Sequence, residues 1–564
     1  MKQWRTSVIL GVIFILAAIM IGRLFYVQVI NRKLYSAQAL GQQMGFTEVQ
    51  GQRGQIYFQK SKESLGRSGS GDVKSLAINE EEYIIAAVGK KIPDKEAFAV
   101  AVSNGLGLAK EWVLQKITES GSYAILKKNA TPGQAQALSA LKLEGLSLEK
   151  ISARQYPQEQ LASQVVGFVG GEGQGQYGLE GYYEDILEGK NGIKEEKRGL
   201  DLIDAEANQE YLNGSDLYLT IDYNIQFEAE ALLAKAHKDL DISSGQIIVL
   251  KPDSGRVLAL ANYPSFNPNA YYQQQDLGIF QNSAVQKIFE PGSVFKPFTM
   301  AIALNEGKAS PETTFIDTGS VKVGPDTVYN FDRKQYGKQT LSGILEKSIN
   351  TGAVFLSQMV SHQTFMDYLE RFGFDEKTGV DVQGEVVSRN DLLKKGFGSG
   401  FATASFGQGI EMTPIQLASA FTVFANGGRV VKPYLVEKII HGQEELATKP
   451  QLSEQVISSK TASEVTTMLI NVVERGFGDI ARIPGYYLAG KTGTAEVPFE
   501  GKKGYYADRT IQSFIGFGPA LKPEFLILVK LDNPKVPKSS LSAAPIFRKL
   551  AQYIINYWQL PPDY

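Results

Sequence analysis

The stretch Glu290-Pro-Gly-Ser-Val-Phe-Lys-Pro-Phe-Thr299 decides how the chain is read. Pro291-Gly292 ends whatever precedes it, and Ser293 to Leu304 reads as an apolar helix that stops at Glu306-Gly307. Ser293 and Lys296 are three apart, so on that helix they share a face and their heads can meet. A serine hydroxyl is a poor nucleophile until a neighbour takes its proton, and a lysine held neutral can do so. Burial at a crowded helix start lowers a lysine from its ordinary value of about 10.4. The same Ser-x-x-Lys spacing recurs at Ser139/Lys142 and Ser147/Lys150, in a polar stretch that reads as solvated helix, so the surroundings have to decide.

The chain has 564 residues, too many for one core, which predicts two or three domains. Its 58 basic and 60 acidic residues balance, so composition points to no nucleic-acid partner. With no cysteine there is no disulfide, thiol catalysis or Cys-ligated zinc. The three histidines, His237, His362 and His441, lie far apart, which argues against a Ser-His-Asp triad or a His-based metal site.

Residues 1–5 precede an uncharged run from Thr6 to Gly22 that resumes from Leu24 to Ile30 after Arg23. As a helix, 6–30 spans about 37 Å, enough to cross a bilayer if Arg23 snorkels. No convincing small-x-small cleavage site follows, so the run is expected to be an uncleaved anchor rather than a signal peptide. Charge counting leaves its orientation open, because Lys2 and Arg5 precede it while Arg23, Arg32 and Lys33 fall in its second half or beyond. Residues 43–215 read as a mixed, polar pedestal with a strand at Tyr83–Val88 and a flexible excursion from Ser61 to Ser75. Gly173-x-Gly175-x-x-Gly178 before an apparent helix, Leu179 to Leu187, has no βαβ continuation and reads as a turn rather than a dinucleotide site.

Residues 216–560 are expected to form one domain, in which the stretch from Gly245 to the C-terminus is the largest coherent block. Asp216 to Asp222 reads as a strand and Asn224 to Leu240 as an amphipathic helix, followed by a hairpin, Gly245–Leu250 with Arg256–Ala261. Thr510 to Phe517, Phe525 to Leu531 and a helix from Ala544 to Trp558 close the chain. Strands at both ends with helices between predict one sheet closed by the two ends of the block, with a helical insert.

Ser348-Ile-Asn350 lies between apolar helical runs at Leu341–Leu345 and Ala353–Val360, as an inter-helix loop facing a cleft would. Ser265-Phe-Asn267 and Ser388-Arg-Asn390 share its pattern in a Pro-rich and a charged loop. Lys491-Thr-Gly-Thr494 follows Tyr486-Tyr-Leu-Ala, a predicted strand; an edge strand of this composition suits a substrate carboxylate and a passing peptide backbone. Lys377-Thr-Gly379 repeats the triplet inside a turn. Gly485-x4-Gly490-Lys491-Thr492 fits the P-loop pattern, but no helix starts at its lysine.

Ser-x-x-Lys, Ser-x-Asn and Lys-Thr-Gly-Thr in this order, with Ser348 and Lys491 standing 55 and 198 positions after Ser293, resemble the penicillin-binding protein and serine β-lactamase superfamily. Glu290-Pro-Gly-Ser293, Ser405-Phe-Gly-Gln-Gly-Ile410 followed by Thr413-Pro-Ile-Gln416, Ala425-Asn-Gly-Gly428 and Ser513-Phe-Ile-Gly516 resemble the class B penicillin-binding proteins, nearer the septal or sporulation branch. Arg53-Gly-Gln-Ile56, Arg154-x-Tyr-Pro157 and Tyr177-Gly-Leu-Glu-Gly181 resemble that class's pedestal, although Tyr57-Phe-Gln-Lys60 stands where an Asp-Arg-x-Gly-like turn is usual and puts its first hairpin in question.

The resemblance implies an α+β protein: a transmembrane helix, an elongated mixed pedestal, and a serine transpeptidase domain with an antiparallel sheet flanked by helices. It implies a D,D-transpeptidase that cross-links peptidoglycan stem peptides, with catalytic residues Ser293, Lys296, Ser348, Asn350 and Lys491. Thr492, Gly493 and Thr494 would bind substrate, and no metal or cofactor would be required. Expected partners are stem peptides on lipid-linked or nascent glycan, β-lactams, the membrane, a polytopic glycosyltransferase and other divisome proteins. The location implied is the cell membrane, with the catalytic domain outside. A β-lactam sensor, or a β-lactamase or carboxypeptidase of the same superfamily, remains the alternative.

Overall fold

The computed structural model describes residues 46–59, 73–119, 122–195, 212–388, 390–394, 398–499 and 504–564, together with residues 16 and 20. Apart from residues 16 and 20, the expected anchor at 6–30 lies outside the described residues, as does most of the Ser61–Ser75 excursion, and among the described residues no helix is long and apolar enough to cross a membrane.

The described chain divides into two units. The smaller gathers the segment ending at Gly54 with 185–216 and 440–444, and holds an antiparallel ladder of β1 (Phe46–Gln50) and β6 (Asn191–Glu195).

In the larger unit β2 (Ile56–Tyr57) pairs antiparallel with β3 (Ser75–Ala87), so the hairpin that the motif departure put in question is formed. Helices α1 (Lys95–Leu106), α2 (Lys110–Glu119) and α3 (Pro132–Ala140) cover one face of β3 and β4 (Ala124–Ala130). Phe98, Val102, Val113, Ile117 and Leu138 are buried there against Ile85 and Leu126. Thr131 and Gln134 make a reciprocal capping box at the start of α3. β5 (Leu146–Gln155) pairs with β3 along its length, which corrects the reading of Ser147/Lys150 as solvated helix; only Ser139 is helical. Leu179–Leu187 is not one helix but two short ones, Gly178–Tyr182 and Glu184–Leu187. Gly178, at φ +49°, is wedged against the backbone of Val165 to Gly167, so the glycine triplet there is a packing device. Two pedestal motifs meet directly. Arg154 Nε donates to Glu180 Oε1 at 2.7 Å and Tyr156 OH donates to the same oxygen at 3.2 Å, all three side chains being buried.

β7 (Asp216–Leu219) is shorter than the predicted strand because Asp222 turns to cap α4 (Tyr223–Leu240), its carboxylate accepting from the Asn224 and Ile225 N–H groups. The predicted hairpin follows as β8 (Ser244–Leu250) and β9 (Val257–Tyr263). After α5 (Lys296–Asn305) an insert of two small ladders intervenes. β10 (Thr314–Asp317) pairs with β13 (Gly337–Thr340), and β11 (Ser320–Val323) with β12 (Asp326–Tyr329). Then come α6 (Leu341–Glu346), α7 (Asn350–Ser357), α8 (Pro414–Ala425), β14 (Val436–His441), β15 (Glu444–Ala447) and α9 (Ser459–Arg475). Last are β16 (Ala489–Pro498), β17 (Tyr505–Gly518), β18 (Phe525–Asp532) and α10 (Ala543–Tyr557).

The five-stranded sheet runs β9-β8-β18-β17-β16, antiparallel throughout, so strands from both ends of the block do close one sheet. Ile225 and Leu233 of α4 and Phe547, Leu550 and Ile554 of α10 are buried with Ile247, Val249, Phe514, Ile527 and Val529 of the sheet. Toward the helical layer, Phe421 of α8 packs edge-on between Phe517 of the sheet and Phe298 of α5. A second sheet, in the order β15-β14-β7-β2-β3-β4 with β5 also on β3, joins pedestal strands to β7 and β14.

Candidate active site

The predicted helix from Ser293 begins as a 3-10 turn, Gly292–Phe295, and becomes α-helical only at Lys296. Pro297 is the cause. It has no N–H to give the Ser293 carbonyl, which instead accepts from the Lys296 N–H one residue earlier. In a 3-10 turn residues i and i+3 eclipse, so Ser293 and Lys296 lie one above the other. Ser293 stays partly exposed while Val294, Phe295 and Lys296 are buried. The turn is clamped on both sides. Gly292 N–H donates to the Gly407 carbonyl at 2.9 Å, and a Cβ at Gly292 would stand 3.1 Å from Ala495 Cβ.

Ser348 has φ +53°, a left-handed conformation that costs a serine roughly 1 kcal/mol or more, between α6 and α7. Asn350 is the first residue of α7 rather than part of the loop. Lys296 Nζ lies 2.5 Å from the Ser348 carbonyl oxygen, 2.8 Å from Asn350 Oδ1 and 3.2 Å from Ser348 Oγ. Asn350 Nδ2 donates to the Tyr329 carbonyl at 2.9 Å, which leaves one of its two N–H bonds unspent on that contact.

From the other side comes β16, the edge strand of the sheet. It starts at Ala489, later than predicted, because Tyr486 forms an isolated bridge with Ile483. Lys491 Nζ is 3.0 Å from Ser348 Oγ and 3.0 Å from the Thr492 carbonyl. Gly493 pairs with Ser513 of β17; a Cβ there would run into Ser513 Oγ and come within 2.9 Å of Val294 Cγ1. Thr494 Oγ1 and Ser539 Oγ are 3.4 Å apart. All eight predicted site residues therefore fall on three stretches of chain, 293–296, 348–350 and 491–494, with Lys296, Ser348, Asn350 and Lys491 hydrogen-bonded in one network.

Lys296 is 1 % and Lys491 0 % exposed. Burial, and then the charge of Lys491, push Lys296 well below the ordinary lysine range, and burial brings Lys491 to about 7. The look-alike motifs have structural work. Ser388 Oγ bonds Glu411 and Asn390 Nδ2 the Glu411 carbonyl, Ser265 Oγ bonds Gln160, and the Thr378 hydroxyl and N–H bind Glu385 in a turn. Gly485 to Lys491 runs into a strand, as no P-loop does. Sequence reasoning passed over Asp317, Tyr329 and Asn330, which touch this network from the insert. Ile349 was the available signal: an N-cap position without a side-chain oxygen has to be capped from elsewhere.

Residues 245–552 match the family described as penicillin binding protein transpeptidase domain, and residues 48–219 the penicillin-binding protein dimerisation domain. The chain is 32 % identical over 489 residues to stage V sporulation protein D of Bacillus subtilis, covering 84 % of this chain and 75 % of that protein. It is 29 % identical over 584 residues to the peptidoglycan D,D-transpeptidase FtsI homolog of Mesostigma viride, covering 97 % and 94 %. Among solved structures, penicillin binding protein 3 from Mycobacterium tuberculosis complexed with aztreonam is similar with TM-score 0.69 and 26 % identity, covering 92 % of this chain and 98 % of that one.

Proposed function

This chain belongs to the class B penicillin-binding proteins, peptidoglycan D,D-transpeptidases, and from that premise we propose that Ser293 is its nucleophile and Lys296 the base that activates it. A neutral lysine amine has two N–H bonds and one lone pair. The two shorter contacts, to the Ser348 carbonyl and Asn350 Oδ1, use the N–H bonds and leave the lone pair for a hydroxyl proton. Ser293 Oγ attacks the carbonyl of the D-Ala–D-Ala bond and gives its proton to Lys296. Ser348, between the two lysines, passes a proton to the departing D-alanine amine. The N–H groups of Ser293 and Thr494 hold the oxyanion, Asn350 the donor's backbone amide, and Thr492 and Thr494 its carboxylate. The amine of a second stem peptide then attacks the ester, forms the cross-link and returns the proton to Ser293.

One observation carries the assignment. Two water-excluded lysine amines from different elements converge on one serine hydroxyl beside the nucleophile turn. β-Lactams acylate the same serine, a reading supported by the likeness to the protein complexed with aztreonam. Similarity to stage V sporulation protein D supports a sporulation role, with the septal branch the other reading of the motifs. We place the chain in the cell membrane through residues 6–30, working with a polytopic glycosyltransferase and the divisome.

The test is product analysis with a stem-peptide donor and an amine acceptor. A cross-linked product is expected. Hydrolysed donor alone would make the enzyme a carboxypeptidase, and covalent adduct without turnover would make it a sensor. Ser293→Ala is expected to abolish fluorescent penicillin labelling, whereas Ser139→Ala and Ser147→Ala keep it. Labelling that survives Ser293→Ala removes the assignment.

A further inference from the structure

Helix α7 starts behind Ile349, which occupies its N-cap and makes no side-chain bond there. The missing acceptor is supplied by the insert. Asn330 Oδ1 takes the Asn350 N–H at 3.1 Å and the Thr351 N–H at 3.3 Å. Asn330 is 2 % exposed, and its amide nitrogen donates to Asp317 Oδ2 at 2.9 Å and to the Lys334 carbonyl at 3.0 Å. Those two acceptors settle which end of the amide faces the helix.

Asp317, fully buried at the end of β10, also accepts from Thr351 Oγ1 at 2.6 Å, from Tyr336 N–H at 2.8 Å and from Gly319 N–H at 3.0 Å. Burial pushes its carboxyl up, but the bonds from Thr351, Gly319, Tyr336 and Asn330 outweigh that and hold it below the usual carboxylate range. It is thus an ionised anchor, tied on one side to the insert and on the other to α7. The neighbouring Tyr329 carbonyl takes Asn350 Nδ2. The insert therefore grips Asn350 at its backbone N–H and at Nδ2, and leaves Oδ1 on Lys296 Nζ.

We propose that Asn330, oriented by Asp317, is a positioning residue for acylation: it caps α7 from outside and so fixes Asn350, and through Asn350 the amine of Lys296. The inference rests on the roles given above to Lys296 and Asn350. Asn330 and Asp317 are both buried, so neither is open to a substrate. Their effect belongs to the acylation rate constant rather than to the first, noncovalent binding of the β-lactam or donor.

The test is rapid-mixing kinetics of a fluorescent penicillin with Asn330→Ala, Asp317→Ala and the double variant, each normalised to its titratable sites. The acylation rate constant is expected to fall by roughly tenfold to a hundredfold in each single variant, as a displaced catalytic group does. The noncovalent Kd should stay near the wild-type value, and the double variant should be no slower than the worse single one, because both act along one path. A wild-type rate constant in Asn330→Ala overturns the inference. So does a loss confined to titratable sites, or losses that multiply in the double variant. If Asp317→Ala does not fold, Asn330→Ala decides alone, since it leaves the carboxylate its other three donors. Asn350→Ala, measured alongside, separates the two levels. A wild-type rate there overturns the site assignment, whereas a slow Asn350→Ala beside a normal Asn330→Ala overturns this inference only.

Discussion

Lys296 and Lys491 approach one hydroxyl, Ser348 Oγ, at 3.2 and 3.0 Å with almost no access to water. Lys296 accepts a proton only when neutral, so acylation is expected to fall as pH drops through its value. A charged Lys491 disfavours protonation of Lys296, and Lys491 titrates at about 7. Lys491→Ala removes that repulsion and lets Lys296 rise. Its acylation should therefore be slower by orders of magnitude, with the acid limb of the pH–rate curve moved to higher pH. Lys377→Ala, on an exposed turn, should match the wild type in both respects. An unmoved limb in Lys491→Ala would mean that the lysines do not communicate. Glu290, three residues before Ser293, makes a second pH-dependent case. Burial, with Glu411 and Glu496 adding to it, raises its carboxyl from 4.5 to about 7 against the N–H of Gly409 and the hydroxyl of Tyr505. Because the folded value is the higher one, the stability is whole below pH 4.5 and drains away as pH climbs to about 7. At about 1.4 kcal/mol per unit the loss is on the order of 3 kcal/mol. Glu290→Gln cannot ionise. Its urea midpoint should hold between pH 5 and 7.5 relative to the wild type's, and parallel curves would count against a buried neutral carboxyl.

At the scale of elements, the site exists because an edge strand lies flush against a 3-10 turn, and Gly493 is what permits the approach. A Cβ there meets Ser513 Oγ behind it and Val294 and the Pro291 carbonyl in front. Gly493→Ala should push β16 off the nucleophile turn. Overpacking of this kind costs about 1–3 kcal/mol, but a shift near 1 Å at the reacting groups costs roughly 10²-fold in rate. Acylation should therefore suffer far more than the melting temperature. Gly133→Ala, at an open position in α3, should leave labelling intact, and equal effects from both would undo the close-approach account. Elements with strong local signals were legible in the sequence: α4 by its amphipathic spacing, though not its Asp222 cap, the β8–β9 hairpin, α10, and the Thr413–Gln416 capping box of α8. β5 was not, because Leu-Ser-Leu-Glu-Lys-Ile carries mixed periodicity and is a strand through its pairing with β3, some seventy residues away in the chain. The motifs of the candidate site were legible because each is a short run of special residues. The Asp317–Asn330 support was not, since neither residue stands in a run and their partners are side chains and backbone of another segment.

At the scale of the whole molecule, pedestal and catalytic segments are tied by polar contacts that burial makes specific. Tyr183 OH meets Asp381 Oδ2 at 2.9 Å, Glu230 takes the Ala162 N–H at 2.7 Å, and Asn269 brackets Tyr156 from both sides. The side of the membrane on which this body works is a separate question, and it turns on residues 6–30 and the charges around them. Lys2 and Arg5 before the run and Arg23, Arg32 and Lys33 within or after it give positive-inside counting no answer. Substrate chemistry does give one, because stem peptides are cross-linked only outside the membrane. Everything after Ile30 should then be exported, Lys2 and Arg5 should stay in the cytoplasm, and Arg23 should reach up to the outer interface along its own stem. A reporter that works only outside the cytoplasm, fused after the exposed Tyr564 so that the whole chain is kept, should be active. One that works only inside should be silent. The reverse pattern would exclude peptidoglycan as the substrate in the cell even if Ser293 is labelled by penicillin in vitro, because orientation is set by the anchor and acylation by the site.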